Sequence, residues 1–253
     1  STFSAITPMG RQHENDREAT AADLKWLADP AEEPEPFGDG GTKMAWNTFN
    51  VVSIYPNGNP VMSDVNQRWV GDCCACAVIA SMAYLYPRFV KHIIKDNMDK
   101  TYTVTMYDPK GKQISVGVGG DYFIGNSGDL GALGGRNKEV TWATILEKAM
   151  IKWNQIYQGS SNVGGIGTEY VSAIFTGDGE SVGFGANALI AEDLQRAVEV
   201  SLKQGRLVIG GFTRSGEQVD QNWQTTSGNA FTFILPDDNT HLFKMRNPWG
   251  GTT

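Results

Sequence analysis

The chain has 253 residues, a net charge of −7 and a sequence pI of about 5.0. This length suffices for one large domain or for two lobes around a shared cleft. The acidic balance predicts a surface that repels phosphate backbones, which argues against nucleic acid as a partner. No apolar run reaches the roughly 18 residues of a membrane helix, so no membrane span is predicted.

The first 45 residues predict an irregular N-terminal lead. The stretch "DPAEEPEPFGDGG" mixes proline, acid and glycine and offers little to bury, and only "REATAADLKWLADP" predicts a short capped helix. No charged-then-apolar leader follows Ser1, and no distant cysteine is available for a disulfide. The localisation stays open, because a leader could have been removed by processing, and these features only mildly favour a reducing cytoplasmic setting.

Residues 46–60 predict a strand and a turn-rich loop, and "DCCACAVIASMAY" predicts a buried helix because it is apolar on all sides. Asp72 is the expected N-cap of that helix. "TYTVTMYDPKGKQISVGVGG" alternates β-formers around a turn and predicts a hairpin. "TWATILEKAMIKWNQIY" has the apolar spacing of an amphipathic helix.

The glycine-rich residues 162–187 predict loops and a short helix. "AEDLQRAVEVSLKQGRLVIGG" predicts a helix that stops at Gly205 and is followed by a strand. "NAFTFILPDDNTHLFKMRNPWG" predicts a second hairpin that turns at residues 236–240. The first two thirds therefore look mostly helical and the last part mostly β, which predicts an α+β fold with a helical lobe and a sheet lobe.

All three cysteines, Cys73, Cys74 and Cys76, lie at the start of the predicted buried helix. A structural zinc site is disfavoured because it needs about four ligands, usually as two separated pairs. Cys73 and Cys76 have the spacing of a redox pair, without the usual strand–helix context. As core filler, cysteine behaves as a small hydrophobe, and this interpretation suits Cys74 and Cys76.

Cys73 differs because it falls in the first turn of the predicted helix, after Gly71 and Asp72. Backbone N–H groups point outward there, and the helix dipole lowers the pKa of a thiol. The same N–H groups can stabilise the oxyanion that forms when a thiolate attacks an amide. The position therefore favours a nucleophilic thiolate.

Four motifs, in order from about Trp46 to Gly250, resemble those of calpains, which are papain-like cysteine proteases. They are "DVNQRWVGDCCACAVIASMA", "TWATILEKAMIKWNQIY", "AEDLQRAVEVSLKQGRLV" and "FKMRNPWG". The resemblance implies a papain-like two-lobe fold, with a helical protease lobe over 46–186 and a β-rich lobe over 187–253. Calpain catalytic cores continue past the last motif, so the second lobe is expected to be incomplete here.

The resemblance also implies the roles of the site residues. Cys73 is the expected nucleophile, Gln67 the oxyanion-hole glutamine, and Asn247 the residue that orients the base. Trp249 is expected to shield the Asn247 contact from water. Substrate would lie extended in the cleft beside Trp249 and the backbone of Gly164, Gly165 and Gly228.

Asn229 breaks the pattern, because the family places the catalytic histidine there. An asparagine amide has no titratable nitrogen and cannot accept the proton of a thiol. His13, His92 and His241 are poorly placed as substitutes; His241 lies six residues before Asn247, or roughly 20 Å along a strand. A second departure is Cys74, where the family usually has tryptophan.

These departures leave the function open between three hypotheses. The first is a calpain-like cysteine endopeptidase that acts on proteins or peptides and that is inactive here because its base is replaced, by engineering or naturally. The second is a non-catalytic peptide-binding pseudoprotease. A transglutaminase- or acetyltransferase-type enzyme would also need a histidine, so Asn229 weighs equally against it.

The resemblance further implies a calcium ion, with no cofactor needed for the chemistry itself. Asp64, nine residues before Cys73, would be one ligand, and the loop carbonyls at Asn57–Asn59 would join it. Glu147 would complete the oxygen shell that calcium prefers. Both carboxylates could equally be solvated surface groups.

Overall fold

The computed structural model describes residues 7–8, 16–37, 44–125, 127–178, 180–181, 190–211, 229–236 and 244–250. Its helices are α1 (Ala21–Ala28), α2 (Cys73–Leu85), α3 (Pro87–Ile93), α4 (Trp142–Tyr157), α5 (Thr168–Thr176) and α6 (Ala191–Lys203). Its strands are β1 (Thr7–Pro8), β2 (Ala45–Thr48), β3 (Ile94–Asp96), β4 (Tyr102–Tyr107), β5 (Gln113–Val118), β6 (Asp121–Ile124), β7 (Glu180–Ser181), β8 (Ile209–Gly211), β9 (Ala230–Ile234) and β10 (Lys244–Arg246).

Every named sheet is antiparallel. The strands form two three-stranded sheets, β3-β4-β5 and β10-β9-β8, and two pairs, β2-β6 and β1-β7. Helices together with antiparallel sheets confirm the predicted α+β class. The part before residue 187 is less helical than the sequence suggested, because five strands of the described chain, β2 to β6, lie between α1 and α4.

The central helix is α2, and its residues Ala75–Ala83 are all buried. A helix that is apolar on all sides can be stable only inside the core, so the predicted buried helix is confirmed. Strand β9 packs directly on it, where the Thr232 hydroxyl donates a 2.7 Å hydrogen bond to the Ala77 carbonyl. This contact places the start of β9 near the start of α2.

The other predicted elements also form. The β4–β5 hairpin pairs Tyr102 with Val118, and α6 ends before Gly205, whose φ of +78° favours glycine. Strands β9 and β10 pair as the predicted second hairpin, with Arg246 opposite Thr232. Most of its predicted turn, residues 237–240, lies outside the described residues.

Within the described chain, no single helix is both long and apolar enough to cross a membrane. Helices α2 and α3 together reach that length, but they meet at an angle of 113°. Most of α2 is buried in the protein core.

The N-terminal lead contributes to the core, although its composition predicted little to bury. Leu27 of α1 is fully buried. The fully buried Lys152 ammonium of α4 donates to the carbonyls of Trp26 (3.4 Å), Asp29 (2.9 Å) and Gly117 (2.8 Å). A Cβ atom at position 117 would lie 2.5 Å from the Ala28 carbonyl oxygen, so glycine permits this close approach.

The Lys152→Met variant tests how strongly the lead is attached. Methionine retains the apolar stem but removes the three hydrogen bonds of the buried ammonium, which should lower the free energy of unfolding by about 3 kcal/mol. Urea denaturation measures the loss. Lys203→Met is the matched control: its exposed ammonium pairs with the exposed Glu199 one helical turn away, so a loss of at most about 0.5 kcal/mol is expected. Equal losses in the two variants would contradict this account.

Candidate active site

Cys73 is the first residue of α2, and Asp72 occupies the N-cap position, as the sequence predicted. The Asp72 side chain nevertheless makes no capping hydrogen bond. Its fully buried carboxylate turns inward instead, where Oδ1 accepts a 3.3 Å hydrogen bond from the Cys76 thiol. The predicted N-cap position is therefore confirmed, but the Asp72 side chain contacts the buried Cys76 thiol instead of a backbone N–H of the first turn.

The Cys73 thiol is half-buried, and its surroundings lower its pKa to about 6. The largest cause is a hydrogen bond with the Cys74 side chain, and the backbone N–H groups of Ala230 and Cys74 add to it. Burial and the negative charge of Asp72 oppose this shift. The thiolate is thus the main form of Cys73 at neutral pH, which is what nucleophilic attack requires.

Cys76 shows the opposite behaviour. It is fully buried, and desolvation and the nearby Asp72 charge raise the pKa of its thiol well above the usual value. All three cysteines are free thiols, in agreement with the expectation that the fold does not use disulfides. Cys76 is therefore core filler, as the sequence indicated.

Asn229 and Asn247 meet beside this thiol. Asn229 directly precedes Ala230, whose N–H reaches the Cys73 sulfur, and its Nδ2 donates to Asn247 Oδ1 at 3.3 Å. The Trp249 N–H donates to the same oxygen at 3.0 Å. Asn229 is 6% exposed, so the position where the resemblance expects the base is shielded from solvent.

Two polar contacts join the segment around Gln67 to the segment around Asn247. The Gln67 N–H donates to the Pro248 carbonyl at 2.8 Å. The buried Arg246 guanidinium donates to the Val65 carbonyl at 2.5 Å and to Asn66 Oδ1 at 3.4 Å. The structure therefore brings together two motifs that lie about 180 residues apart in the chain.

The Gln67 side chain turns toward its own loop, where Nε2 donates to the Val70 carbonyl at 2.9 Å. Its Oε1 is buried without a hydrogen-bond donor from the described residues. The oxyanion-hole role of Gln67 stays a prediction.

The predicted substrate-binding residues differ in what the structure describes. Gly164 and Gly165 lie in an exposed loop, where the Gly164 N–H donates to Asn162 Oδ1 at 2.9 Å. The Gly165 N–H donates to the carbonyl of Gly71, two residues before Cys73, at 3.2 Å. Trp249 is 47% exposed. Gly228 lies outside the described residues.

The histidines fit the expectation where they are described. His92 is exposed in the last turn of α3, the short helix that follows α2. His13 and His241 lie outside the described residues.

The residues implied for calcium do not fit a shared oxygen shell. The Asp64 carboxylate is 1% exposed and accepts three hydrogen bonds, from Asn57 Nδ2 (2.7 Å), the Val61 N–H (3.1 Å) and Trp142 Nε1 (2.8 Å). Among the described residues, the one group of three potential metal-ligand side chains whose ligand atoms lie within 4.8 Å of each other contains Glu147 but not Asp64. Calcium stays a prediction from the resemblance, and no chemical step below depends on it.

That group is Asp72, Cys76 and Glu147, all buried under the start of α2. Glu147 Oε1 accepts the Leu133 N–H at 3.0 Å, and its other oxygen faces Asp72. Burial, followed by the Asp72 charge, raises the pKa of Glu147 well above its usual value, which favours the protonated form of this carboxyl group. One pattern in the sequence could have indicated this cluster, the i, i+4 spacing of Asp72 and Cys76 on one helix face.

Comparison with known protein families agrees with this geometry. The model of the calpain family of cysteine proteases matches residues 45–253. The chain therefore belongs to the calpain family of cysteine proteases, whose fold is papain-like, and proteins are the substrate class that this membership implies. No curated protein matches the chain.

Alkylation of Cys73 should follow a pKa of about 6. The rate of carboxymethylation by iodoacetate, followed by peptide mass spectrometry, should rise as pH increases through this value, because the thiolate is the nucleophile. In Cys74→Ala the rise should move to higher pH, because the largest cause of the low pKa is removed. Cys76→Ser is the matched control and should leave the Cys73 profile unchanged; a shift there equal to that of Cys74→Ala would contradict the assignment.

Proposed function

We propose that this protein is a calpain-like cysteine endopeptidase in which Cys73 is the nucleophile and Asn247 the orienting residue, and that Asn229 keeps this chain nearly inactive. One observation carries the proposal. Asn229 Nδ2 donates to Asn247 Oδ1 at 3.3 Å, and the next residue, Ala230, donates its N–H to the Cys73 sulfur. An imidazole at position 229 would stand between the same two groups that a Cys-His-Asn triad requires.

The proposed reaction begins with attack of the Cys73 thiolate on a peptide carbonyl carbon. A C–S bond forms, the carbonyl becomes an oxyanion, and the C–N bond then breaks to release the amine. Backbone N–H groups at the start of α2 and the Gln67 amide would hold the oxyanion. Water would then hydrolyse the thioester and release the acid.

The step that fails in this chain is protonation of the leaving amine. A histidine would deliver that proton as imidazolium and later remove one from the attacking water. The Asn229 amide can donate a hydrogen bond but cannot give up a proton at ordinary pH. Asn229 therefore preserves the arrangement of the site without supplying its acid–base chemistry.

Peptide substrate would lie extended between two lobes, a helical one before residue 187 and a β-rich one after it. The Gly164–Gly165 loop is exposed and joined to Gly71, two residues before Cys73, which supports a place for it along the cleft. Gly228 and the half-exposed Trp249 would line the same cleft. No side-chain preference is proposed.

A non-catalytic peptide-binding module is the second candidate. It is favoured by the buried Asn229, whose amide has a hydrogen-bond partner in Asn247 and fits the site without a histidine. In this case the cleft would bind a peptide and release it uncut.

The Asn229→His variant separates the two candidates. Restoring the base should raise hydrolysis of an unstructured protein such as casein by at least about 100-fold, since a positioned general acid–base group contributes on that order. Activity is measured by release of labelled peptides, against the unaltered chain.

The double variant Asn229→His with Cys73→Ala is the matched control and should return activity to background. Cys76→Ala in the Asn229→His background should keep the activity, because that thiol is buried away from the cleft. A folded Asn229→His variant with no Cys73-dependent hydrolysis would rule out the endopeptidase and favour the peptide-binding module.

A further inference from the structure

The loop that the resemblance assigns to calcium already holds a cation of the protein's own. The Lys91 ammonium, on α3, donates to the Gly58 carbonyl at 3.2 Å and to Asn59 Oδ1 at 3.4 Å. The same ammonium lies 5.0 Å from the centre of the Tyr55 ring, within range of a cation–π interaction. One positive charge thus contacts three residues of the 55–59 loop, Tyr55, Gly58 and Asn59.

The loop itself is a tight turn built for this contact. The Gly58 N–H donates to the Tyr55 carbonyl at 3.0 Å, and Gly58 has a φ of +82°, which favours glycine. A Cβ atom at position 58 would meet nothing within 4 Å, so backbone conformation rather than crowding selects glycine. The turn directs the Gly58 carbonyl oxygen outward, toward Lys91.

The carboxylate that calcium would need is already satisfied by neutral donors. Asp64 accepts hydrogen bonds from the Trp142 indole, the Asn57 amide and the Val61 N–H. Its backbone carbonyl accepts the Thr141 hydroxyl at 3.1 Å. A calcium ion would have to reach a carboxylate that is only 1% exposed and that already holds the start of α4 against this loop.

The second implied ligand, Glu147, is engaged elsewhere. It accepts the Leu133 N–H and faces Asp72, and Asp64 does not belong to that cluster. Calcium takes six to eight oxygen ligands at about 2.3–2.6 Å, so it would need both carboxylates to turn toward one point. It would also have to displace the like-charged Lys91 ammonium.

We propose that the Lys91 ammonium is the built-in cation of the 55–59 loop and that this loop is held in place without bound calcium. Lys91, the Trp142 indole and the Asn57 amide hold the loop and Asp64 in place, which is the structural role that a metal ion would otherwise take. The inference does not rest on the proposed function, because it concerns how the loop is held and not whether Cys73 cuts a peptide.

Thermal unfolding of the full chain tests it, without any activity readout. The Tm of the unaltered chain should be the same in millimolar calcium chloride and in EDTA. Lys91→Met keeps the side-chain stem and removes the ammonium, and it should lower the Tm by about 2–4 °C in both buffers, the shift that corresponds to about 1 kcal/mol in a chain of this size. Lys95→Met, an exposed lysine on β3, is the matched control and should shift the Tm by less than about 1 °C.

A rise of several degrees on adding calcium to the unaltered chain, lost in Asp64→Asn, would overturn the proposal. Glu147→Gln serves the same purpose if Asp64→Asn does not fold. A rise that both variants retain comes from calcium bound elsewhere on the acidic chain, and the comparison of Lys91→Met with Lys95→Met then decides. Equal Tm values for those two variants would also overturn the proposal.

Discussion

The buried guanidinium of Arg246 fixes the geometry on which the active site depends. It is 3% exposed, and it remains charged at neutral pH because desolvation lowers its pKa only to about 10. A buried charge must find acceptors, and Arg246 finds the Val65 carbonyl and Asn66 Oδ1. Because Asn247 is the next residue, this requirement sets its position beside the strand that carries Asn229. Loss of these acceptors would leave a buried charge uncompensated, which is strongly destabilising.

A second constraint lies under the nucleophile. Asp72 and Glu147 are fully buried carboxyl groups in contact, and only one of them can carry a charge at low cost. The pKa of Glu147 is raised, which favours its neutral form, and Asp72 is the acid whose negative charge opposes ionisation of the Cys73 thiol. The low pKa of Cys73 is thus a balance between donors above the helix start and one acid below it.

The sequence predicted most helices and strands, and it said less where contacts between distant segments decide. The order of the motifs predicted that the side chains of Asn229 and Asn247 lie together, and they share a hydrogen bond. The calcium ligands could not be judged from spacing, since the hydrogen bonds of Asp64 come from residues up to 78 positions away. The packing of the N-terminal lead on the core could not be predicted either. Its composition is typical of irregular chain, and the buried Lys152 ammonium that binds it lies far away in the sequence.

Asn229 can make the hydrogen bond to Asn247 that a histidine would make, but its amide cannot accept or release a proton at ordinary pH. Its amide donates to Asn247 Oδ1, as an imidazole N–H would. The low pKa of the Cys73 thiol comes from Cys74 and backbone N–H groups rather than from an imidazolium. In this chain the reactivity of the nucleophile and the presence of the base are physically separate. A site of this kind can retain a reactive thiolate while lacking the proton transfers that complete peptide hydrolysis.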